Sequence, residues 1–112
     1  MKECIINFVN DFTKYPSGRY NSDGPYSGEK FREECLVPKL KECDKVIINI
    51  DGIMGFGSSF LEEAFGGLIR KKYFTVKEMQ SKLKFRYEDK SLKTYEEEIW
   101  MYIEGAVEDN DK

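Results

Sequence analysis

The chain contains no histidine. That absence removes the commonest general base, the commonest zinc ligand and every catalytic triad built on imidazole, leaving carboxylate, lysine or magnesium chemistry as enzymatic routes. Cysteine is scarce as well. Cys4, Cys35 and Cys43 are odd in number and widely spaced, which offers neither a disulfide framework nor a CxxC pair for metal or redox work. All three are expected as reduced thiols, with Cys35 in the core. Long apolar runs are missing too. The opening Met1-Lys2-Glu3-Cys4-Ile5-Ile6-Asn7 has none of signal-peptide length, and no stretch approaches the ~20 apolar residues that cross a bilayer. A cytoplasmic location without membrane association is expected.

What is present describes one folded domain. At 112 residues the chain can remove roughly two-thirds of its unfolded surface from water, enough for one core and not two. Apolar residues make up 40% and charged residues 35%, and 8 Phe, 7 Tyr and Trp100 make the chain too aromatic to be disordered. Net charge is only −3, unevenly placed: residues 70–93 carry nine Lys/Arg against three acids, and residues 94–112 carry seven acids against Lys112. The basic block reads either as a nucleic-acid footprint or as a neighbour that the acidic segment neutralises. The second reading is favoured, because no aromatic interleaving on a single-strand-binding pattern accompanies the charge.

The order of elements emerges from periodicity and punctuation. Glu3 to Phe8 suits a strand. From Asp11 to Gly28 the chain is rich in Gly, Pro, Ser, Asn and Asp and should turn repeatedly, a long connection of the kind that is often functional. Ser27 is a candidate N-cap for a helix from Gly28 to about Lys41, which Pro38 must kink or restart. Val46-Ile47-Ile48-Asn49-Ile50 is the clearest strand, and its near-continuous apolar run predicts the middle of a sheet covered by helices. A glycine loop, Gly52 to Gly57, leads into a helix with Phe60, Leu61, Ala64, Phe65 and Leu68 at helical spacing. Ser59-x-x-Glu62, Thr75-x-x-Glu78 and Thr94-x-x-Glu97 all have capping-box form, placing helix starts at each. A strand is predicted at Leu83 to Tyr87, and a last helix runs from Thr94 with Tyr95, Ile99, Tyr102 and Ile103 on one stripe.

The glycine loop invites a phosphate reading, since a helix N-terminus attracts anions. It lacks Gly-Lys-Ser/Thr, and Phe60 stands where a dinucleotide fingerprint needs a small residue. Alternatively, the glycines only let the chain turn out of the sheet. Ser59 then caps the helix and Ser58 is left over as an exposed hydroxyl for a kinase or a partner. Glu62 and Glu63 read as acids favoured by the helix start, and Asp51 as a turn residue or a ligand-binding group at a strand end. Arg19 and Asp23 read as an ion pair holding the long loop or as groups facing a ligand. Gly66-Gly67 inside a helix costs about 1 kcal/mol per glycine, so close packing there is expected in compensation.

Gly18-Arg19-Tyr20, Asp23-Gly24-Pro25-Tyr26-Ser27-Gly28-Glu29-Lys30-Phe31-Arg32, Val46 to Gly52 and Gly57 to Leu68 together resemble the bacterial STAS-like domain family of unknown function. STAS domains proper are similar to anti-sigma factor antagonists, small βα domains that bind a histidine-kinase-like ATPase and are switched by serine phosphorylation at a helix start. The resemblance places that serine at Ser58 and the following hydroxyl at Ser59, with Gly57 where the antagonists usually carry Asp.

The expected fold is therefore α/β or mixed α+β: a three- to five-stranded sheet with about four helices packed on it, a single STAS-like domain over residues 1–108 with a frayed acidic tail at 109–112. The expected function is a non-catalytic regulatory module docking on a protein partner, a histidine-kinase-like ATPase by resemblance. Asp51, Gly55, Phe56, Gly57, Ser58, Ser59, Phe60, Glu62 and Glu63 would form the docking surface, Ser58 the phosphorylation site, and Arg19 and Asp23 a loop site. No cofactor, resident metal or nucleic acid is expected. The alternative is a nucleotide- or phosphate-binding protein, or an enzyme using Asp51, Glu62 and a metal.

Overall fold

The structure is a computed structural model that describes residues 2–108; the predicted tail at 109–112 lies outside the described residues. The first strand, β1 (Glu3–Asn7), ends one residue early because Phe8 opens a short helix, α1 (Phe8–Asp11). Asp11 accepts the backbone N–H of Asn7 at 2.8 Å and fixes that corner. Ser27 caps helix α2, residues 28–42, as expected: its hydroxyl accepts the N–H of Lys30 at 3.1 Å and donates to Asn21 at 2.8 Å.

Helix α2 is not uniform. An α-helical start, Gly28–Lys30, passes into a π-helical turn, Phe31–Leu36, and returns to α geometry over Val37–Glu42. In the wide turn the N–H of Val37 reaches back five residues to the carbonyl of Arg32. Pro38, expected to kink or restart the helix, lies just past this turn, and the helix runs through it. Helix α3, residues 58–70, has the same build: Ser58–Leu61, a π-helical turn at Glu62–Gly66, then Gly67–Arg70. Beyond it lie α4 (Val76–Lys82), with its Thr75/Glu78 capping box intact, and α5 (Lys93–Gly105). Thr94 does not cap α5. A 3-10 turn at Lys90–Leu92 leads into that helix, and Asp89 accepts the N–H of Ser91 at 3.0 Å to start the turn.

The sheet has three parallel strands in the order β1-β2-β3, with β2 at Lys45–Asn49 and β3 at Leu83–Arg86. Cys4, Val46 and Leu83 lie side by side, as do Ile6, Ile48 and Phe85. These rows face the helices, and Ile6, Val46, Ile48 and Leu83 are buried. The neighbouring row of Ile5, Ile47 and Lys84 points the other way, with Ile5 at 47% exposure. β2 is the central strand, as its apolar run predicts, and its buried residues Val46 and Ile48 lie on the face that the helices cover. Successive crossovers of one hand in a 1-2-3 sheet fall on one face, where α2 and α3 pack together. Their crossing is close because Gly28 has no side chain: a Cβ there would stand 2.5 Å from the Phe60 carbonyl oxygen. Phe8 fills the space beneath, its ring 4.7 Å from Phe31 and 5.0 Å from Phe56.

The cysteines depart from expectation. Cys4 and Cys43 are joined as a disulfide, with Cα atoms 6.0 Å apart and a sequence separation of 39. Parallel pairing of β1 and β2 brings Cys43, two residues ahead of β2, beside the start of β1, a proximity that sequence spacing does not show. Cys43 is the core cysteine, and Cys35 is free and half-buried. No helix among the described residues is long and apolar enough to cross a membrane.

Candidate functional site

The loop after β2 is held at its start by its own polar groups. Asn49 accepts the N–H of Asp51 at 2.9 Å, and the Asp51 carboxylate accepts the N–H of Glu88 at 2.9 and 3.0 Å. Asp51 therefore ties the end of β2 to the segment after β3. Gly52 (φ +87°) and Gly55 (φ +143°) occupy backbone conformations that side chains disfavour, which is the turning role expected of them. Between them Met54 donates its N–H to the Lys14 carbonyl at 3.0 Å and lays the loop against the earlier one. Phe56 closes the loop from below, half-buried, with its ring 5.3 Å from Tyr95 and 5.8 Å from Phe60.

Helix α3 starts at Ser58 with Gly57 as its N-cap, and no side chain caps it. The capping role predicted for Ser59 is corrected: Ser59 lies inside the first turn and is exposed. Glu62, its expected partner in the capping box, is drawn away by arginines. Ser58 is exposed too, and it lies near the phenol of Tyr102 on α5. Tyr102 in turn donates to Glu98 at 2.7 Å, and that bond raises its pKa while Ser58 lowers it.

Two of the residues predicted for a docking surface are interior. Phe60 is fully buried among aromatic rings and Glu63 is 3% exposed, so neither reaches a partner. The apolar run and the two adjacent glutamates show no difference in sequence between the exposed and the buried side of this helix. Glu63 instead joins an arginine–glutamate network between the two π-helical turns. Arg32, 1% exposed, donates through Nη1 to the Glu63 carboxylate and carbonyl, each at 2.6 Å, and through Nε to Glu33 at 2.8 Å. Arg70 donates to Glu62 at 2.6 Å and Glu63 at 3.3 Å. Arg19 from the long loop donates to Glu62 and, at 3.4 Å, to Glu63.

Of the two readings of Arg19 and Asp23, the ion pair is not formed, since Arg19 pairs with Glu62 and Glu63. The Asp23 carboxylate instead accepts the backbone N–H groups of Arg19 at 3.0 Å and Tyr20 at 2.8 Å, shaping the loop that delivers Arg19 to the network. Burial pushes the Glu62 carboxyl up, but hydrogen bonds and charge from Arg70 and Arg19 outweigh it and hold the pKa below its usual value. Burial likewise opposes the charge on Arg32, and its bonds to Glu33 and Glu63 reverse the effect. The network is matched in charge and internally bonded, which suits a structural strut better than a reacting centre.

The surface that remains around the glycine loop is apolar at two points that sequence reading missed. Met54 is 66% exposed and Tyr15 is 62% exposed, with the Lys14 ammonium 5.9 Å from the Tyr15 ring centre. Their signal in sequence was a large side chain at a loop tip between turn residues. A cavity of about 160 Å³ opens beside the loop at the strand ends, lined by Asn7, Phe8, Val9, Asn10, Asn49 and Asp51. Small-molecule pockets usually exceed ~300 Å³. Asp51 and Glu62, the pair an enzyme reading would use with a metal, are committed to separate partners.

A parallel sheet with its crossover helices on one face, and a glycine loop running from the central strand to an uncapped helix start, defines a small α/β domain of the STAS-like class. A family model described as STAS-like domain of unknown function (DUF4325) matches residues 27–93, and the chain belongs to that family. The match runs from the cap of α2 to the first residue of α5, so it includes the glycine loop and most of the arginine–glutamate network, Arg19 alone lying outside it. No curated protein and no solved structure matches the chain.

Proposed function

We propose that this domain is a non-catalytic regulatory module that docks on a protein partner through the exposed side of the glycine loop and the start of α3. The observation that carries the reading is the pairing of Met54 and Tyr15, both well exposed, on two loops joined by the Met54–Lys14 backbone bond. Exposed apolar side chains on a rigid platform bind partners at low ordering cost. Gly57, Ser58 and Ser59 form the polar rim, and Gly55 and Phe56 support it from behind. Resemblance to the anti-sigma factor antagonists makes a histidine-kinase-like ATPase the partner class and Ser58 the switching residue. A phosphate on Ser58 would gain from the positive end of α3 and would place negative charge beside Tyr102 and its partner Glu98, so it would alter both loop and α5 contacts.

The test is cross-linking capture from the native host with wild type, Met54→Ala, Tyr15→Ala, Ser58→Glu, and Met101→Ala as a surface control, since Met101 is 59% exposed on α5. One partner is expected with wild type and control, and loss of it with the three loop variants. Equal capture by all five proteins would remove the reading. The uncapped start of α3 favours a second reading, phosphate or nucleotide binding. It predicts a thermal shift with those ligands in the isolated domain, which a protein-docking module lacks.

A further inference from the structure

Cys4, Glu42 and Cys43 meet at the end of the sheet opposite the glycine loop. Their two sulfurs and a Glu42 carboxylate oxygen all lie within 4.8 Å of one another. The backbone that carries them is held without help from the disulfide. Lys2 donates its N–H to the Asp44 carboxylate at 2.7 Å, and its carbonyl accepts the N–H groups of Asp44 at 2.8 Å and Lys45 at 3.2 Å. The backbone that carries both cysteines is therefore held when the sulfur–sulfur bond opens, and only the two side chains have to move. Two thiolates and one carboxylate form a donor set for Zn²⁺ and discriminate against Mg²⁺ and Ca²⁺, which take oxygen alone.

We propose that reduction of the Cys4–Cys43 disulfide creates a Zn²⁺ site made by the two sulfurs and Glu42, so that this corner alternates between a disulfide and a bound metal. Tetrahedral zinc with sulfur at ~2.3 Å sets neighbouring donor atoms roughly 3.8 Å apart. The two sulfurs separate to that distance by side-chain rotation once their bond opens, the Cα atoms standing 6.0 Å apart, and Glu42 adjusts with them because its side chain is 52% exposed. The fourth position falls to water. Two thiolates and a carboxylate exceed the charge of the cation by one, and Lys2, whose ammonium lies 3.2 Å from Glu42, neutralises the excess.

The reductant is a small dithiol. Its thiolate attacks the sulfur of Cys4, the less buried of the pair. The Cys4–Cys43 bond breaks, Cys43 leaves as a thiolate, and Cys4 is held in a mixed disulfide. The second sulfur of the dithiol then attacks the first and releases Cys4 as a thiolate. The reductant departs as a cyclic disulfide, having given up two electrons. Any protons the sulfurs take up are returned to solvent when the cation binds. Cys35 stays outside this chemistry: burial, with Glu34 and Asp11 nearby, pushes its thiol pKa up.

Cobalt is the probe, because Co²⁺ bound by thiolates gives a charge-transfer absorbance that Co²⁺ in water lacks. The protein is reduced with a phosphine, freed of air and titrated with Co²⁺, in wild type, Cys4→Ser, Cys43→Ser, Glu42→Gln and Cys35→Ser. One equivalent with the thiolate band is expected for wild type and Cys35→Ser, at least about tenfold weaker binding for Glu42→Gln, and no band for the other two variants or for oxidised wild type. No band in reduced wild type, or an unchanged band in Cys4→Ser, overturns the proposal. Should the serine variants fail to fold, alkylation of reduced wild type decides: Zn²⁺ is expected to slow labelling of Cys4 at least tenfold, and an unchanged rate overturns it. The corner lies at the far end of the strands from Met54 and Tyr15, so this result is independent of the docking experiment.

Discussion

The guanidinium of Arg32 occupies the space that a side chain at position 67 would need: a Cβ built on Gly67 falls 3.0 Å from Arg32 Cζ. The helix interior therefore keeps a residue that helix propensity disfavours, because a buried ion pair from the neighbouring helix lies across it. Gly67→Ala should gain about 1 kcal/mol in propensity and lose more through displacement of Arg32. The expected outcome is a net loss of about 1–3 kcal/mol in urea unfolding. Gly66→Ala, which meets the flexible end of Glu62 instead, should lose less.

Acid should weaken the fold through Glu62 and Glu33, whose pKa values are both held below their ordinary level. For Glu33, burial works upward and is outweighed by the Tyr73 hydroxyl and Arg32. A carboxylate with a depressed folded-state pKa adds stability that is present above its unfolded pKa and is lost as pH falls through the folded value. The urea midpoint should accordingly hold steady near neutrality and fall below about pH 4, the usual glutamate range. Arg70→Gln should flatten that fall, since it removes one cause of the Glu62 depression. An acid limb of the same slope in Arg70→Gln would contradict this account.

Two serines with similar sequence credentials as helix caps should behave differently. Ser27 is buried and bonds both Lys30 and Asn21, so Ser27→Ala should cost about 1–2 kcal/mol. Ser59 is exposed and caps nothing, so Ser59→Ala should stay within about 0.5 kcal/mol of wild type. Thermal or urea unfolding of the two variants side by side is sufficient.

Asp51 joins two segments 37 residues apart through the N–H of Glu88. Asp51→Ala should free that amide, speed its hydrogen exchange at least tenfold, and lower stability by about 1–2 kcal/mol. Amides at the far end of β2 should exchange as before. Protection of Glu88 that survives the substitution would show that the clamp lies elsewhere.

Local chemistry in the sequence was enough for most elements. The β-branched run at 46–50, the Ser27 cap and the Thr75/Glu78 box each act within a few residues, so periodicity and capping rules found β2, α2 and α4 within a residue or two. The membership in the STAS-like family was likewise legible from motifs. The site was less so. Glu63 and Glu62 are adjacent and chemically alike, and only the crossing of α2 over α3 makes one interior and the other half-exposed. Arg32 carries no local mark of burial, and the Cys4–Cys43 bond depends on strand pairing across 39 residues. Ser59 failed as a cap because Gly57 already has extended backbone geometry and takes the N-cap position, so the helix begins at Ser58.

A π-helical turn holds one residue more than the α-helix it interrupts, and the wide turn absorbs that residue without rotating the rest of the helix. Phe31–Leu36 and Glu62–Gly66 are therefore places where chain length can change inside a helix rather than in a loop. Removing one residue from either turn would restore α geometry and leave Leu40 or Leu68 facing the core, while moving Arg32 or Glu63 off its partner. Length variation among relatives at these two turns would thus register as gain or loss of the buried ion pair, with the hydrophobic core carried through unchanged.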